Sequence, residues 1–226
     1  MSDKNLVVGI DIGGTKTAFG FVDRSNKIIH AMSIETRSKD SAEKFLTRLY
    51  HAIEEARNGL PSHHHLCGIG IGTPNANYYR GTIEQAVHLN WGKTVHLVEL
   101  MRHYYNMPIA LTNDANVAAL GEMLFDNARG MKNFMVITLG TGLGSGIVVD
   151  GRLLYGNSGF AREFGHTVVD PEGRQCLCGK KGCLETYASA TGLVKGFSQP
   201  APVKAPVTKA TAMPPMISLF IFHAPS

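Results

Sequence analysis

The sequence predicts an α/β fold with antiparallel hairpins built into its sheets. Two observations carry this expectation: short apolar runs alternate with stretches of helical apolar spacing, and two pairs of those runs are joined by glycine-rich turns. Residues 6–10 and 17–22 are the first such pair, with Asp-Ile-Gly-Gly-Thr-Lys (Asp11 to Lys16) between them, which reads as a hairpin. A third strand is expected over residues 27–33. From residue 41 to 57, Ala42, Phe45, Leu49, Ala52, Ile53 and Ala56 keep helical spacing, with Asp40 as the expected N-cap and Gly59-Leu60-Pro61 as the stop. Residues 66–71 form a buried strand with Cys67 as an apolar filler, and the loop Gly72-Thr73-Pro74-Asn75 follows. A helix is then expected over 95–105, a strand over 108–112 leading into Asn113-Asp114, and a helix from 115 to about 127. Strands at 134–139 and 145–149 flank Gly140-Thr141-Gly142-Leu143-Gly144, and a helix over 184–195 closes the pattern.

Composition narrows the function classes. The chain has 226 residues, 44% hydrophobic and 18% charged, as expected of a soluble globular protein. Its net charge of +4 comes from scattered basic residues, so no nucleic-acid partner is expected. The longest late apolar run, residues 216–222, is too short to span a bilayer, so no membrane partner is expected either. No leader pattern precedes the first strand, and clustered cysteines suit thiols in a reducing compartment, so the expected location is cytoplasmic. Residues 196–226 hold Pro200, Pro202, Pro206, Pro214, Pro215 and Pro225, a composition expected to leave this end disordered or loosely attached.

The most specific motif is Cys-x-Cys-Gly-x-x-Gly-Cys-x-Glu, from Cys176 to Glu185, ten residues after His166. Cys176, Cys178 and Cys183 with one imidazole make a closed tetrahedral zinc shell, and such a site scaffolds rather than catalyses. Glu163 and Glu185 flank the cluster, either as surface charges or as acceptors for vicinal hydroxyls. The turn after Asp11 is either an ordinary hairpin or a concavity of backbone N–H groups that holds an anion, with Asp11 suited to a hydrated Mg²⁺. The second glycine run, Thr138 to Gly146, has the spacing of a dinucleotide fingerprint, but a strand follows it instead of a helix. Asp114 is either a helix N-cap or a general base.

These motifs together resemble the ROK family (repressors, open reading frames, sugar kinases) of the actin/hexokinase-like superfamily. The resemblance rests on Asp-Ile-Gly-Gly-Thr-Lys-Thr, Asn-Asp-Ala-Asn, Glu-Phe-Gly-His and the complete cysteine signature, and it runs from about Leu6 to Lys195. It implies an actin/hexokinase-like (ribonuclease H-like) fold of mixed sheets with flanking helices in two lobes, the second incomplete. The implied organisation is a small lobe over 1–113, a partial large lobe with the zinc loop over 114–195 and a non-family tail over 196–226.

The implied activity is ATP-dependent phosphorylation of a hexose, glucose above all, at its 6-hydroxyl, with Asp114 as base. Asp11, Gly13, Gly14, Thr15 and Lys16 would form the first phosphate loop, and Thr138, Gly140, Thr141, Gly142 and Gly144 the second. Gly72, Thr73, Asn113, Asp114, Glu163, His166 and Glu185 would meet the sugar, while His166, Cys176, Cys178 and Cys183 would hold zinc. The cofactors implied are ATP, Mg²⁺ and structural Zn²⁺; the resemblance allows a homodimer. Two departures are His88, where family members often carry Asn, and Arg162, where Gly is common. The end departs more: family chains run on well beyond Lys195, so a truncated or frameshifted product is expected. That leaves a catalytically impaired remnant as the alternative. A sugar-responsive repressor needs a DNA-binding helix pair, for which there is no room before Asp11.

Overall fold

The structure, a computed structural model, describes residues 5–62, 64–85, 89–159, 161, 163–198 and, for the backbone, 219–223. His88 and Arg162 lie outside the described residues. Two compact units divide the chain, Met1–Asp114 and Ala115–Ser226. Asp114, assigned from sequence to the second lobe, thus falls with the first unit.

In the first unit, β1 (Asn5–Ile12), β2 (Lys16–Asp23) and β3 (Ile28–Glu35) form an antiparallel meander. Helix α1 (Ala42–Asn58) then crosses over to β4 (His65–Gly72), which pairs parallel to β1. Small strands β5 (Ala76–Asn77), β6 (Thr82–Glu84) and β7 (Thr94–Val95) make a sheet of their own. Helix α2 (Leu97–Arg102) returns the chain to β8 (Ile109–Thr112), parallel to β4. The five-stranded order is β3-β2-β1-β4-β8. Strand β1 alternates strictly, burying Leu6, Val8, Ile10 and Ile12. These share a core with Phe45, Leu46, Leu49 and Ile53 of α1, where Phe45 also stacks on Trp91 at 4.9 Å between ring centroids. Each such side chain contributes about 1.5–3 kcal/mol by leaving water.

Three expectations are corrected in this unit. Ser41, not Asp40, caps α1: its hydroxyl accepts from the Lys44 N–H, while Asp40 pairs with Arg48 at 2.8 Å. The helix expected over 95–105 shrinks to α2 because Val95 is taken into β7, opposite Ile83. Cys67 is exposed rather than buried. Leu66 pairs with Leu6 and Gly68 with Val7, so Cys67 is the extra residue of a β-bulge, and its thiol donates to the Leu6 carbonyl at 3.2 Å.

The second unit holds α3 (Asp114–Phe125, all but its first residue), β9 (Phe134–Leu139), β10 (Leu143–Val149) and β11 (Arg152–Leu153). A 3₁₀ turn (Phe164–His166) and helices α4 (Glu185–Ala188) and α5 (Ala190–Ser198) follow. The single helix expected over 184–195 is broken at Ser189. That residue is extended, and its hydroxyl accepts from the Gly192 N–H at 3.0 Å, restarting the helix. Within the proline-rich end, β12 (Leu219–His223) pairs antiparallel with β9, so this part of it is ordered, contrary to expectation. Backbone pairing does not require a charged or uninterrupted sequence, only an open strand edge, which β9 offers.

Close approach of α3 to β10 depends on glycine. A Cβ on Gly146 would lie 2.5 Å from the Ala115 carbonyl oxygen and 2.6 Å from the Ala119 Cβ, whereas one on Gly140 meets nothing within 4 Å. Gly146→Ala is therefore expected to cost about 1–3 kcal/mol in urea unfolding, with Gly140→Ala close to neutral. Equal midpoints for the two variants would contradict this packing.

Candidate functional site

The first unit gathers its polar residues at one edge of the sheet. Parallel register sets Asp11 level with Gly72, and Gly72 level with Thr112, at the carboxyl ends of β1, β4 and β8. Ligand sites of open α/β sheets form beyond such ends. Thr73 is buried and ties the ends together: its N–H donates to the Thr112 carbonyl at 3.1 Å and its hydroxyl to the Ile12 carbonyl at 3.0 Å. The turn Gly13-Gly14-Thr15 leaves from the same edge. Its Gly13 N–H donates to the Lys16 carbonyl at 3.1 Å, and a Cβ on Gly13 would come within 2.9 Å of that same oxygen. Asn113 and Asp114 follow β8 directly. Because α3 begins at Asp114, Asn113 holds the cap position and Asp114 lies in the first turn, where the helix dipole favours a carboxylate. Burial and, second to it, the negative charge of Asp114 raise the Asp11 carboxyl above its ordinary range. The two acids therefore feel one another. A cavity of about 420 Å³ lined by Leu6, Phe21, Arg57 and Leu66 sits at the opposite ends of β1 and β4 and takes no part in this constellation.

The second unit gathers the rest. The Gly140 N–H donates to the Gly142 carbonyl at 3.0 Å, and the Gly140 carbonyl accepts from the Ala190 N–H at 3.0 Å, so the second glycine loop is anchored to the start of α5. A Cβ on Gly144 would lie 2.6 Å from the Thr138 hydroxyl oxygen, and one on Gly142 would lie 2.9 Å from Glu185 Oε2. The Glu185 carboxylate thus rests against the loop. A Cβ on Gly165 would strike the Leu143 carbonyl, which keeps the Phe164–His166 turn, with Glu163 just before it, close against β10.

The four expected metal ligands come together. One ligand atom from each of His166, Cys176, Cys178 and Cys183 lies within 4.8 Å of all the others. Cys178 Sγ is 3.5 Å from Cys183 Sγ, and Cys176 Sγ is 3.6 Å from His166 Nδ1. A tetrahedral zinc with bonds of about 2.0–2.3 Å spaces its ligand atoms at about 3.3–3.8 Å, so the donor set fits. Positive φ at Gly179 (92°) and Gly182 (67°) bends the backbone around the cluster. His166 has two sides. Nδ1 faces Cys176 and Glu185 Oε1 (3.4 Å), and Nε2 faces Glu163 Oε2 at 3.5 Å, the outer-carboxylate arrangement that orients a ligating imidazole. Burial and the Glu185 carboxylate push the Cys176 thiol up, and burial does the same to Cys183. Burial also opposes ionisation of Cys178, but the Lys180 N–H and the neighbouring thiols outweigh it and hold that thiol below its ordinary value. Reading the sequence missed Thr36, Thr112 and the anchoring role of Thr73. A polar residue at the end of a strand is the one signal they leave.

Known proteins share these features. The description "ROK family" matches residues 7–214. A glucokinase of Halalkalibacterium halodurans is 40% identical over 201 residues, covering 86% of this chain and 59% of the relative. A xylose repressor of Caldicellulosiruptor bescii is 32% identical over 194 residues, covering 85% and 48%. The solved ROK family glucokinase from Streptomyces griseus, in complex with glucose and AMPPNP, superposes with a TM-score of 0.72 at 36% identity, covering 86% of this chain and 62% of that one. The chain spans about three fifths of the length of the glucokinases it matches. Its fold is the mixed α/β, actin/hexokinase-like fold of ROK sugar kinases. The edge carrying Asp11 and Asp114, the paired glycine loops and the Cys/His cluster are thus features of a known lineage, and the chain belongs to the ROK family.

Proposed function

We propose that the chain phosphorylates a hexose, glucose first, at its 6-hydroxyl, with Asp114 as general base. The observation that carries this reading is the acid pair on the carboxyl edge of the first unit. Asp11 is raised by burial and by the charge of Asp114, so a cation beside Asp11 would relieve it, and Asp114 keeps an exposed carboxylate to accept a proton. Bound MgATP supplies the phosphoryl group and the counter-charge for its transfer. Asp114 takes the proton from the attacking hydroxyl, and Asn113 holds that hydroxyl in place. Gly13, Gly14, Thr15 and Lys16 cradle phosphate from the first unit, and Thr138, Gly140, Thr141, Gly142 and Gly144 do so from the second. Gly72, Thr73, Glu163, His166 and Glu185 contact the sugar. Zinc on His166, Cys176, Cys178 and Cys183 has no open position, so it sets the posture of Glu163 and Glu185 and leaves the reaction to them and Asp114. The setting we infer is cytoplasmic, and a homodimer is compatible with it.

A second reading is sugar binding without phosphoryl transfer, favoured by relatives named xylose repressor. Calorimetry separates the two: heat on adding glucose with no product on adding MgATP supports the second.

A coupled assay for glucose 6-phosphate is expected to show turnover that Asp114→Ala lowers by about 10²–10⁴-fold. Turnover no higher than in that variant would sink the kinase reading. Elemental analysis should find one zinc per chain, and Cys183→Ser should lose it; a metal-free chain with freely alkylated thiols would remove zinc from the proposal. Asp11→Asn should abolish turnover yet raise the thermal midpoint near pH 7 without added Mg²⁺. The sign follows from the raised carboxyl. Protonated Asp11 stabilises the fold below its unfolded pKa, and that benefit is lost as pH rises through the folded value, so the charged group is a cost at neutrality. The advantage of the variant should shrink toward about pH 4. A lower midpoint at neutral pH would contradict it.

A further inference from the structure

We propose that Thr36, which lies outside both glycine motifs, is a positioning residue that presets the first phosphate loop. The inference rests on the kinase reading for the identity of the anion, the terminal phosphates of a nucleoside triphosphate.

Thr36 follows β3 and is fully buried. Each of its hydrogen-bonding groups is engaged. Its hydroxyl donates to the Gly13 carbonyl at 2.7 Å, and its N–H donates to the Thr15 carbonyl at 2.9 Å. With the Thr36 hydroxyl proton committed to Gly13, the 2.9 Å contact with Thr17 Oγ1 is a hydrogen bond donated by Thr17. The Thr36 carbonyl accepts from Arg48 Nη2 at 2.8 Å, and Arg48 is held in turn by Asp40 at 2.8 Å. One residue therefore fixes two carbonyls of the turn and is itself fixed from α1.

Peptide planarity converts this clamp into an anion site. In a trans peptide the C=O of one residue and the N–H of the next point in opposite directions, and no peptide bond here is cis. Drawing the Gly13 carbonyl toward Thr36 turns the Gly14 N–H away from it. Drawing in the Thr15 carbonyl does the same to the Lys16 N–H. Two donors are thereby aimed away from Thr36 before any ligand arrives. Preorganised donors need no reorganisation on binding.

The test uses the full chain and MgATP. Amide resonances of Gly14 and Lys16 should shift on titration. Thr36→Val keeps the shape and loses the hydroxyl; it should bind MgATP about tenfold more weakly, raising KM for ATP while leaving KM for glucose in place. Thr36→Ser restores the hydroxyl and should bind within about twofold of the parent chain. Wild-type affinity in Thr36→Val, or Gly14 and Lys16 amides indifferent to MgATP, overturns the proposal. Should Thr36→Val fail to fold, the amides of the parent chain decide alone. The underlying reading fails separately: amide shifts and weakened binding without any glucose 6-phosphate would leave the clamp standing and remove the kinase.

Discussion

Parallel pairing of β1 with β4, and of β4 with β8, decides where chemistry can sit in the first unit. Parallel neighbours end on the same side, so Asp11, Gly72 and Thr112 arrive abreast. The pairing is held by the buried alternation of β1 and the core it shares with α1. A slip of one residue would turn Leu6, Val8, Ile10 and Ile12 toward solvent, a cost of several side-chain burials at about 1.5–3 kcal/mol each. The acidic edge is thus secured by apolar contacts on the other face of its own strand. Thr73 adds a polar lock at the same edge, bonding to carbonyls of both β1 and β8.

Different chemistry organises the second unit. There the second glycine loop, Glu185 and the Cys/His cluster are drawn together by backbone contacts that glycine alone permits at Gly144, Gly165 and Gly182. His166 links the cluster to both glutamates through its two ring nitrogens. A metal at the cluster would therefore set the posture of carboxylates it never touches.

Much of this was legible in the chain. The glycine hairpins and α1 announced themselves because turn residues interrupt apolar runs and because Phe45, Leu49, Ile53 and Ala56 share one helical face. Cysteine spacing identified the cluster because few other arrangements place three thiols and an imidazole so near. What escaped depended on register. The bulge that exposes Cys67 is an offset between two strands far apart in sequence, and no local pattern encodes it. Thr36 escaped for the same reason: it meets Gly13 only through the β2–β3 pairing, across 23 positions. Ser189 reads as a helix-interior residue until its hydroxyl is seen to cap α5. Val95 reads as helical until Ile83 claims it for a strand.

Asp114 closes the first unit rather than opening the second. The electrostatic coupling between it and Asp11 is therefore a property of residues encoded without interruption in the leading half of the gene. Recombination downstream of that codon could exchange everything that follows while handing on the coupled acids intact. Such a module is inherited as a piece, and new partners for it can be tried without rebuilding its charge balance.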